Sequence, residues 1–230
     1  MENWLTSWSK TGLHKPKAGN NSEVGPRILS QSFYGRDTLV VARELLGKII
    51  VVRNRTGISG GRIIETEAYR EDDPASHSYR GETPRSSVMF GEPGLAYVYF
   101  IYGMYEMLNF VTEKKGTSGA VLIRALEPMF GIEQMIRRSP KALPKLLTSG
   151  PGRLTRALGI KLKHNYASLQ GPELLVLDDL HKPVSISSTP RVGISEAQDR
   201  YWRFFDSGHP GISRARQNSH ARPLRPEGAS

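Results

Sequence analysis

Short apolar and β-branched runs typical of β-strands, separated by turns, recur between residues 48 and 205. A helical period precedes them, where Asp37 can cap a helix over Thr38–Leu46 that ends at Gly47. Two further helices are predicted over Pro128–Arg138 and Pro151–Leu158. The pattern predicts strands over Lys48–Arg53, Arg62–Tyr69, Leu95–Tyr102, Tyr105–Thr112, Gly119–Ala125, Glu173–Leu177, Val184–Ser187, Arg191–Ile194 and Tyr201–Phe205.

The order of these elements favours an α+β fold. Most neighbouring strands are joined by short turns, which predicts a single domain with a mixed, mostly antiparallel curved β-sheet, flanking helices and a protruding β-hairpin. We place this domain at residues 33–206, with a disordered polar and basic N-terminal arm at 1–32 and a basic flexible C-terminal tail at 207–230. The loop of residues 70–94 is long for a compact domain, and loops of this length are usually functional or disordered.

The composition adds a preference for a polyanionic partner. The 230 residues carry a formal net charge of +10 and no cysteine, which excludes disulfides and thiolate metal sites. Residues 1–33 contribute +2 and residues 207–230 contribute +3, so +5 remains on the part expected to fold. A basic protein favours nucleic acid or an anionic membrane surface, and a merely solvated basic surface is the alternative. No apolar run has transmembrane length, and no histidine spacing or phosphate loop predicts a metal or a cofactor.

Two carboxylates and a tyrosine lie close together in the segment Glu65-Thr66-Glu67-Ala68-Tyr69. Alternate residues of a strand share a face, so we expect Ile63, Glu65, Glu67 and Tyr69 to line up. One interpretation is an exposed edge with two solvated glutamates. Another is an acid–base pair, but neighbours on one strand approach a scissile bond from the same side rather than from opposite sides. We therefore expect one glutamate to act and the other to be structural.

A tyrosine-rich hairpin is predicted at residues 97–105. Alternation places Tyr97, Tyr99 and Ile101 on one face and leaves Tyr102 near the tip, where the chain reverses. An exposed aromatic side chain at this place suits a wedge that unstacks a base step in the minor groove of DNA. A tyrosine cluster in the core is the alternative.

Two segments are candidates for contacts with a phosphate backbone. Free N–H groups at the N-terminus of a helix attract phosphate, and Gly150 and Arg153 lie at the start of the last predicted helix. Arg85, in the long loop, is a further cationic candidate. Ordinary helix capping explains the sequence around Gly150 equally well, so both interpretations stay open.

Taken together, these residues resemble the alkyladenine DNA glycosylase family, also called 3-methyladenine or methylpurine DNA glycosylase. The likeness covers about residues 33–206 and leaves out both tails. The matching blocks, in the family's order, are Glu65–Tyr69, Ala75–Ser78, Thr83–Arg85, Met89-Phe90, Tyr97–Asn109, Leu122–Pro128, Ser149–Pro151 and Arg191–Ile194. The first three blocks together with the Arg-Ala-Leu-Glu-Pro run are a specific combination.

The resemblance implies a DNA repair glycosylase that starts base excision repair. Such an enzyme flips an alkylated or deaminated purine, for example 3-methyladenine, hypoxanthine or ethenoadenine, out of duplex DNA and hydrolyses its N-glycosidic bond. Glu67 matches the family's catalytic glutamate, which binds and deprotonates the attacking water. Arg124 matches the arginine beside it, whose charge would stabilise the ionised carboxylate.

The resemblance also implies a set of residues that bind the damaged base. Tyr69, His77 and Tyr99 match the residues that sandwich it, and stacking on tyrosine suits a cationic alkylpurine. In the family, the backbone N–H at the position of His77 points at the six-position of the purine, where hypoxanthine offers an acceptor. Asn109 matches a residue that crowds the two-amino group of guanine. Tyr102 matches the wedge that fills the gap left by the flipped nucleotide.

The implied enzyme is a monofunctional hydrolase that works without a cofactor or a metal. No lysine accompanies Glu67 in its motif, so we expect no Schiff base and no strand cleavage. The expected partner is double-stranded DNA with a damaged purine, bound by a monomer that is located with the DNA and not at a membrane. The location would be the nucleoid of a bacterial cytoplasm, or a nucleus. The alternatives are a non-catalytic binder of damaged or distorted DNA and, with less support from the basic charge, a metabolic transferase or hydrolase.

Overall fold

Ten strands form one β-sheet in the computed structural model, which describes residues 25–224. The strands are β1 (Arg27–Ile28), β2 (Ile49–Asn54), β3 (Gly57–Arg70), β4 (Ala96–Ile101), β5 (Tyr105–Val111), β6 (Gly119–Phe130), β7 (Leu174–Asp178), β8 (Ile186–Thr189), β9 (Arg203–Asp206) and β10 (Arg222–Pro223). The same part of the chain forms four α-helices, which are α1 (Gln31–Tyr34), α2 (Thr38–Glu44), α3 (Ile132–Arg138) and α4 (Pro151–Leu158). Short 3₁₀ turns lie at Ser87–Phe90, Pro144–Leu146, Leu162–His164 and Arg216–His220.

The paired strands of this sheet run antiparallel to their neighbours. Their main order is β1-β7-β2-β3-β6-β5-β4. The long strand β3 pairs with β6 on one side, and on the other side first with β2 and then with β9. The chain is thus a single α+β domain with a mostly antiparallel, open and curved sheet, which confirms the predicted fold class.

A hydrophobic core packs α2 and α4 against one face of the sheet. Asp37 caps α2 as predicted, because its carboxylate accepts two backbone N–H groups of the first turn. Val41 and Ala42 of α2 and Leu154 and Leu158 of α4 are fully buried in this core. The helices occupy one face, so the opposite face of the central strands is available for a site.

The N-terminal end of the described part differs from the predicted arm. Residues 1–24 lie outside the described residues. Arg27–Ile28 pairs with β7, and Leu29 is buried in the core. The folded part therefore begins before residue 33.

The segment 207–224 also differs from the prediction of a separate flexible tail. Ser213 is buried, and Arg222–Pro223 pairs with β8. The expectation is wrong for this segment, because its contacts with the sheet are long-range and leave no mark in local composition. Residues 225–230 lie outside the described residues.

Two predicted elements form differently. The helix expected over Pro128–Arg138 begins only at Ile132, because β6 stays paired with β3 as far as Phe130. Gly131, with a φ of 68°, then turns the chain into the helix. The strand expected over Arg191–Ile194 does not form, and this segment contacts the site described below instead.

Candidate active site

Two β-bulges turn the acidic segment toward the face opposite the helices. Ile64 in β3 and Arg124 in β6 each lie as one extra residue between consecutive pairs of the ladder. A bulge re-aims the side chains that follow it. Ile63, before the bulge, packs in the helix-side core, whereas Glu65 points at Arg124 on the other face. The prediction that Ile63 shares a face with Glu65 is therefore wrong, while the grouping of the two glutamates holds.

Glu65 is a fully buried anion held by two arginines. The Nε atoms of Arg124 and Arg203 both lie 2.7 Å from its Oε1 atom. Burial alone would raise the pKa of Glu65, but the two guanidinium charges outweigh it and hold the pKa below its usual value. The interpretation of this residue as a solvated edge glutamate is wrong, and its contacts are those of a structural carboxylate.

Glu67 is also fully buried, and three donors hold its carboxylate. Its Oε2 atom accepts from Nη1 of Arg124 at 3.2 Å and from the hydroxyl of Tyr69 at 2.9 Å. Its Oε1 atom accepts from the backbone N–H of Val192 at 2.7 Å. Burial is the main cause that raises the pKa of Tyr69, which keeps its hydroxyl protonated as a donor.

A cavity of about 510 Å³ lies beside the residues that bind this carboxylate. Tyr69, Arg124 and Val192, the three residues that bind Glu67, all belong to its lining. The lining also contains His77 and Tyr99, so the structure brings together the residues expected around a base. Tyr69, Arg124 and Val192 therefore connect the buried carboxylate of Glu67 to the cavity.

The aromatic wall of the cavity contains one tyrosine that was not among the predicted base-binding residues. The rings of His77 and Tyr99 meet edge to face at 4.7 Å, and Tyr97 lies 5.2 Å from Tyr99. The hydroxyl of Tyr97 is 2.8 Å from Nδ1 of His77. Partial burial, with a smaller contribution from Arg85, lowers the pKa of His77 to about 4, so the ring is neutral at neutral pH. The shared strand face of Tyr97 and Tyr99 was the signal that pointed to this wall.

Asn109 and Tyr102 take different places around the cavity. Asn109 is buried on β5, and its Nδ2 atom donates to the carbonyl of Tyr97 at 3.1 Å. Tyr102 lies in the turn between β4 and β5 with a φ of 54°, and 73% of its surface is exposed. Both residues belong to the cavity lining, so the hairpin tip reaches from the cavity into solvent.

The three candidates for phosphate contacts lie in different surroundings. The guanidinium of Arg85 lies 5.0 Å from the ring centroid of Tyr99. Gly150 is the N-cap of α4 with a φ of 113°, and a side chain there would meet open space. Arg153 is exposed on α4, and its Nη1 atom donates to the carbonyl of Ser149 at 3.0 Å. These positions leave the cations accessible but do not by themselves identify their ligand.

A buried ion pair behind the cavity was missed by the sequence reasoning. The side chains of Asp73 and Arg191 are fully buried and form a bidentate salt bridge. The guanidinium of Arg191 also lies 4.6 Å from the centroid of the Tyr69 ring. Both residues lie in segments that the sequence had singled out, since Asp73 lies in the long loop and Arg191 begins one of the matching blocks. Only the pairing across more than one hundred residues could not be read from the sequence.

Neither a metal cluster nor a membrane-spanning helix is present in residues 25–224. Within this range no three histidine, aspartate or glutamate side chains are grouped so that they could hold a metal ion. No helix there is long and apolar enough to cross a membrane.

Comparison with known proteins places the chain among the DNA glycosylases. The model of the methylpurine-DNA glycosylase family matches residues 32–210. The chain belongs to this family. A relative from Methanoculleus marisnigri is 46% identical over 190 residues, which cover 81% of this chain and 98% of the relative. Relatives from Chlorobaculum tepidum, with 46% identity over 81% of this chain and 90% of the relative, and Nitrobacter winogradskyi, with 45% over 85% and 92%, are similar. All three are provisionally named 3-methyladenine DNA glycosylases.

Proposed function

We propose that this protein flips damaged purines out of duplex DNA and hydrolyses their N-glycosidic bond, starting base excision repair. One observation carries the proposal above the others. The carboxylate of Glu67 is buried behind an aromatic cavity, and the groups that hold it also line that cavity. A protein that only bound distorted DNA would not need a buried carboxylate in this place.

Glu67 acts as the general base in this proposal. It binds a water molecule and takes a proton from it as the water attacks the anomeric carbon, where positive charge develops. The guanidinium of Arg124, 3.2 Å from the carboxylate, stabilises the ionised form and helps to orient the water. The lining of the cavity within residues 25–224 contains no lysine, which supports hydrolysis without a Schiff base or lyase step.

The aromatic wall binds the flipped base. Tyr69 and Tyr99 supply stacking surfaces, and His77 closes the wall with a neutral ring. The backbone N–H of His77 donates to an acceptor at the six-position of the purine, which favours hypoxanthine over adenine. Asn109, fixed by its bond to Tyr97, crowds the two-amino group of guanine and disfavours that base.

The surface around the cavity binds double-stranded DNA as a monomer. Tyr102 enters the stack at the position of the flipped nucleotide, which offsets part of the cost of extrusion. Arg85, Gly150 and Arg153 contact the phosphate backbone beside it. The net charge of +10 favours this partner, and we expect the protein to be located with the DNA in the nucleoid of a bacterial cytoplasm.

The names of the relatives support 3-methyladenine as a substrate. This base is a cation in DNA and leaves readily, so water and ring contacts suffice. The proposal extends to hypoxanthine and ethenoadenine, because the aromatic wall accepts a flat purine and the N–H of His77 can donate to an acceptor. Ranking these lesions by steady-state excision rates would define the specificity.

A duplex with one hypoxanthine tests the proposed reaction and its alternative. We expect free hypoxanthine to appear while the strand keeps its length until the abasic site is cleaved by alkali. Strand cleavage without alkali would contradict the monofunctional assignment. A duplex with 3-methyladenine serves as a second substrate. Tight binding of both lesion duplexes without release of either base would identify a binder instead of an enzyme.

A further inference from the structure

The segment 207–224 brings a serine into the buried charge cluster of the site. Ser213 is only 6% exposed, and its backbone N–H donates to Oε2 of Glu65 at 2.6 Å. Its hydroxyl donates to Oε1 of the same carboxylate, also at 2.6 Å. The family match ends at residue 210, so Ser213 lies just beyond the matched residues.

Contacts of Ser213 and of the residues that follow it hold this segment in place. Its carbonyl accepts from Nη2 of Arg203 at 3.4 Å and from Nδ2 of Asn218 at 3.2 Å. Asn218 in turn accepts from Nη1 of Arg203 at 2.8 Å. The pairing of β10 with β8 fixes the far end of the segment. Ser213 thus holds two donors, its backbone N–H and its hydroxyl, in fixed positions against the carboxylate of Glu65.

The bonds to Ser213 determine how the carboxylate of Glu65 is oriented. Oε1 receives Arg124, Arg203 and the serine hydroxyl, whereas the bond to Oε2 comes from the serine N–H. Arg124 also connects the two glutamates, because its Nε binds Glu65 and its Nη1 binds Glu67. A rotation of the Glu65 carboxylate would therefore displace the guanidinium that holds Glu67.

We propose that Ser213 is a positioning residue for the glycosylase reaction. It sets Arg124 against Glu67 through the carboxylate of Glu65 and through its own hydroxyl, which accepts from Nη2 of Arg124 at 3.4 Å. The inference rests on the proposed function and extends it to a segment outside the family match. A serine that only anchored the end of the chain would affect folding but not the chemistry of the folded protein. The rate of excision per folded molecule therefore distinguishes a positioning role from an anchoring role.

The test compares Ser213→Ala with the full-length protein under single-turnover conditions on a hypoxanthine duplex. The variant loses the hydroxyl but keeps the N–H, so we expect folded protein that binds the duplex with unchanged affinity. Small displacements of catalytic groups are costly, and we expect excision to fall about tenfold. Ser219→Ala is the matched control, because Ser219 is exposed in the same segment and should leave the rate unchanged.

The pH profile gives a second readout that a folding role would not move. Glu65 faces Arg124 on β6, Arg203 on β9 and Ser213, and it lies beside Glu67 on its own strand. Loss of one donor makes this carboxylate easier to protonate. The low-pH limb of the excision rate should therefore move to higher pH in Ser213→Ala.

The outcomes separate the inference from the function on which it rests. No release of base by the unaltered protein would overturn the proposed function. Normal release by the unaltered protein, together with a normal rate and pH limb in Ser213→Ala, would overturn only the positioning role. If Ser213→Ala does not fold, Ser213→Cys decides, because it keeps a side chain of similar shape but replaces the hydroxyl that binds Glu65 with a weaker donor. A normal rate per folded molecule in that variant would also overturn the positioning role.

Discussion

Replacing Asp73 by asparagine would remove one charge from a buried ion pair that supports the wall of the cavity. The side chains of Asp73 and Arg191 are fully buried, and Nη2 of Arg191 lies 2.8 Å from Oδ1 of Asp73. Arg191 also donates to the carbonyl of Ala68 at 2.9 Å and lies over the ring of Tyr69. Its neighbour Val192 binds Glu67, so the pair supports two of the residues that contact the Glu67 carboxylate, Tyr69 and Val192.

The expected loss of stability follows from the burial of the remaining charge. Removing one partner of a buried ion pair costs about 3–5 kcal/mol, because the other charge stays buried without compensation. Asparagine keeps one oxygen acceptor for Arg191, so we expect a value near the lower limit, about 3 kcal/mol. For a domain of this size each kcal/mol lowers the Tm by roughly 2–4 °C, which predicts a fall of about 6–12 °C.

Thermal unfolding followed by circular dichroism measures this change. Asp72→Asn is the matched control, because its side chain is 63% exposed and its ion pairs are on the surface. Exposed pairs contribute little, so the control should shift the Tm by less than about 2 °C. A shift of Asp73→Asn as small as that of the control would refute the claim that this pair supports the fold.

Two further predictions concern the hairpin tip and a titrating histidine. Tyr102→Ala should keep the Tm, because 73% of the residue's surface is exposed. It should slow excision from duplex DNA by roughly tenfold or more, because the wedge is lost. An unchanged excision rate would contradict the wedge role. For His77, partial burial lowers the pKa from 6.5 to about 4, so the unfolded chain binds a proton in this window that the folded chain does not. Stability should therefore fall as the pH falls from 6.5 to 4, and the urea midpoint of His77→Gln should depend less on pH than that of the unaltered protein. An equally steep pH dependence of the urea midpoint in the variant would show that His77 is not its cause.

The sequence predicted the hairpin and its tip because both depend on local patterns. Alternation over residues 96–111 gave β4 and β5 almost as they form, and Gly103 marked the turn beside Tyr102. The helix after residue 128 began too early in the prediction, because local propensity does not report that β6 is still paired with β3. Pairing overrides propensity at such a boundary.

The sequence named several residues that the structure groups around one cavity, but it did not predict their geometry. The period of two placed Glu65 and Glu67 together, but the bulges at Ile64 and Arg124 that turn them away from the helix-side core leave no periodic signal. Local sequence patterns also could not predict contacts between residues that are far apart in the chain. The buried Ser213 was assigned to a tail, although it binds a carboxylate nearly 150 residues earlier in the chain.

The most direct test of the catalytic assignment is the rate of base release by Glu67→Gln in single turnover on a hypoxanthine duplex. The substitution keeps the shape of the side chain but removes the base, so we expect a fall of at least about 100-fold with duplex binding retained. Glu71→Gln, at an exposed position of the adjoining loop, is the matched control and should release base at the unaltered rate. A Glu67→Gln variant that excised hypoxanthine at nearly the unaltered rate would show that this carboxylate is not the catalytic base.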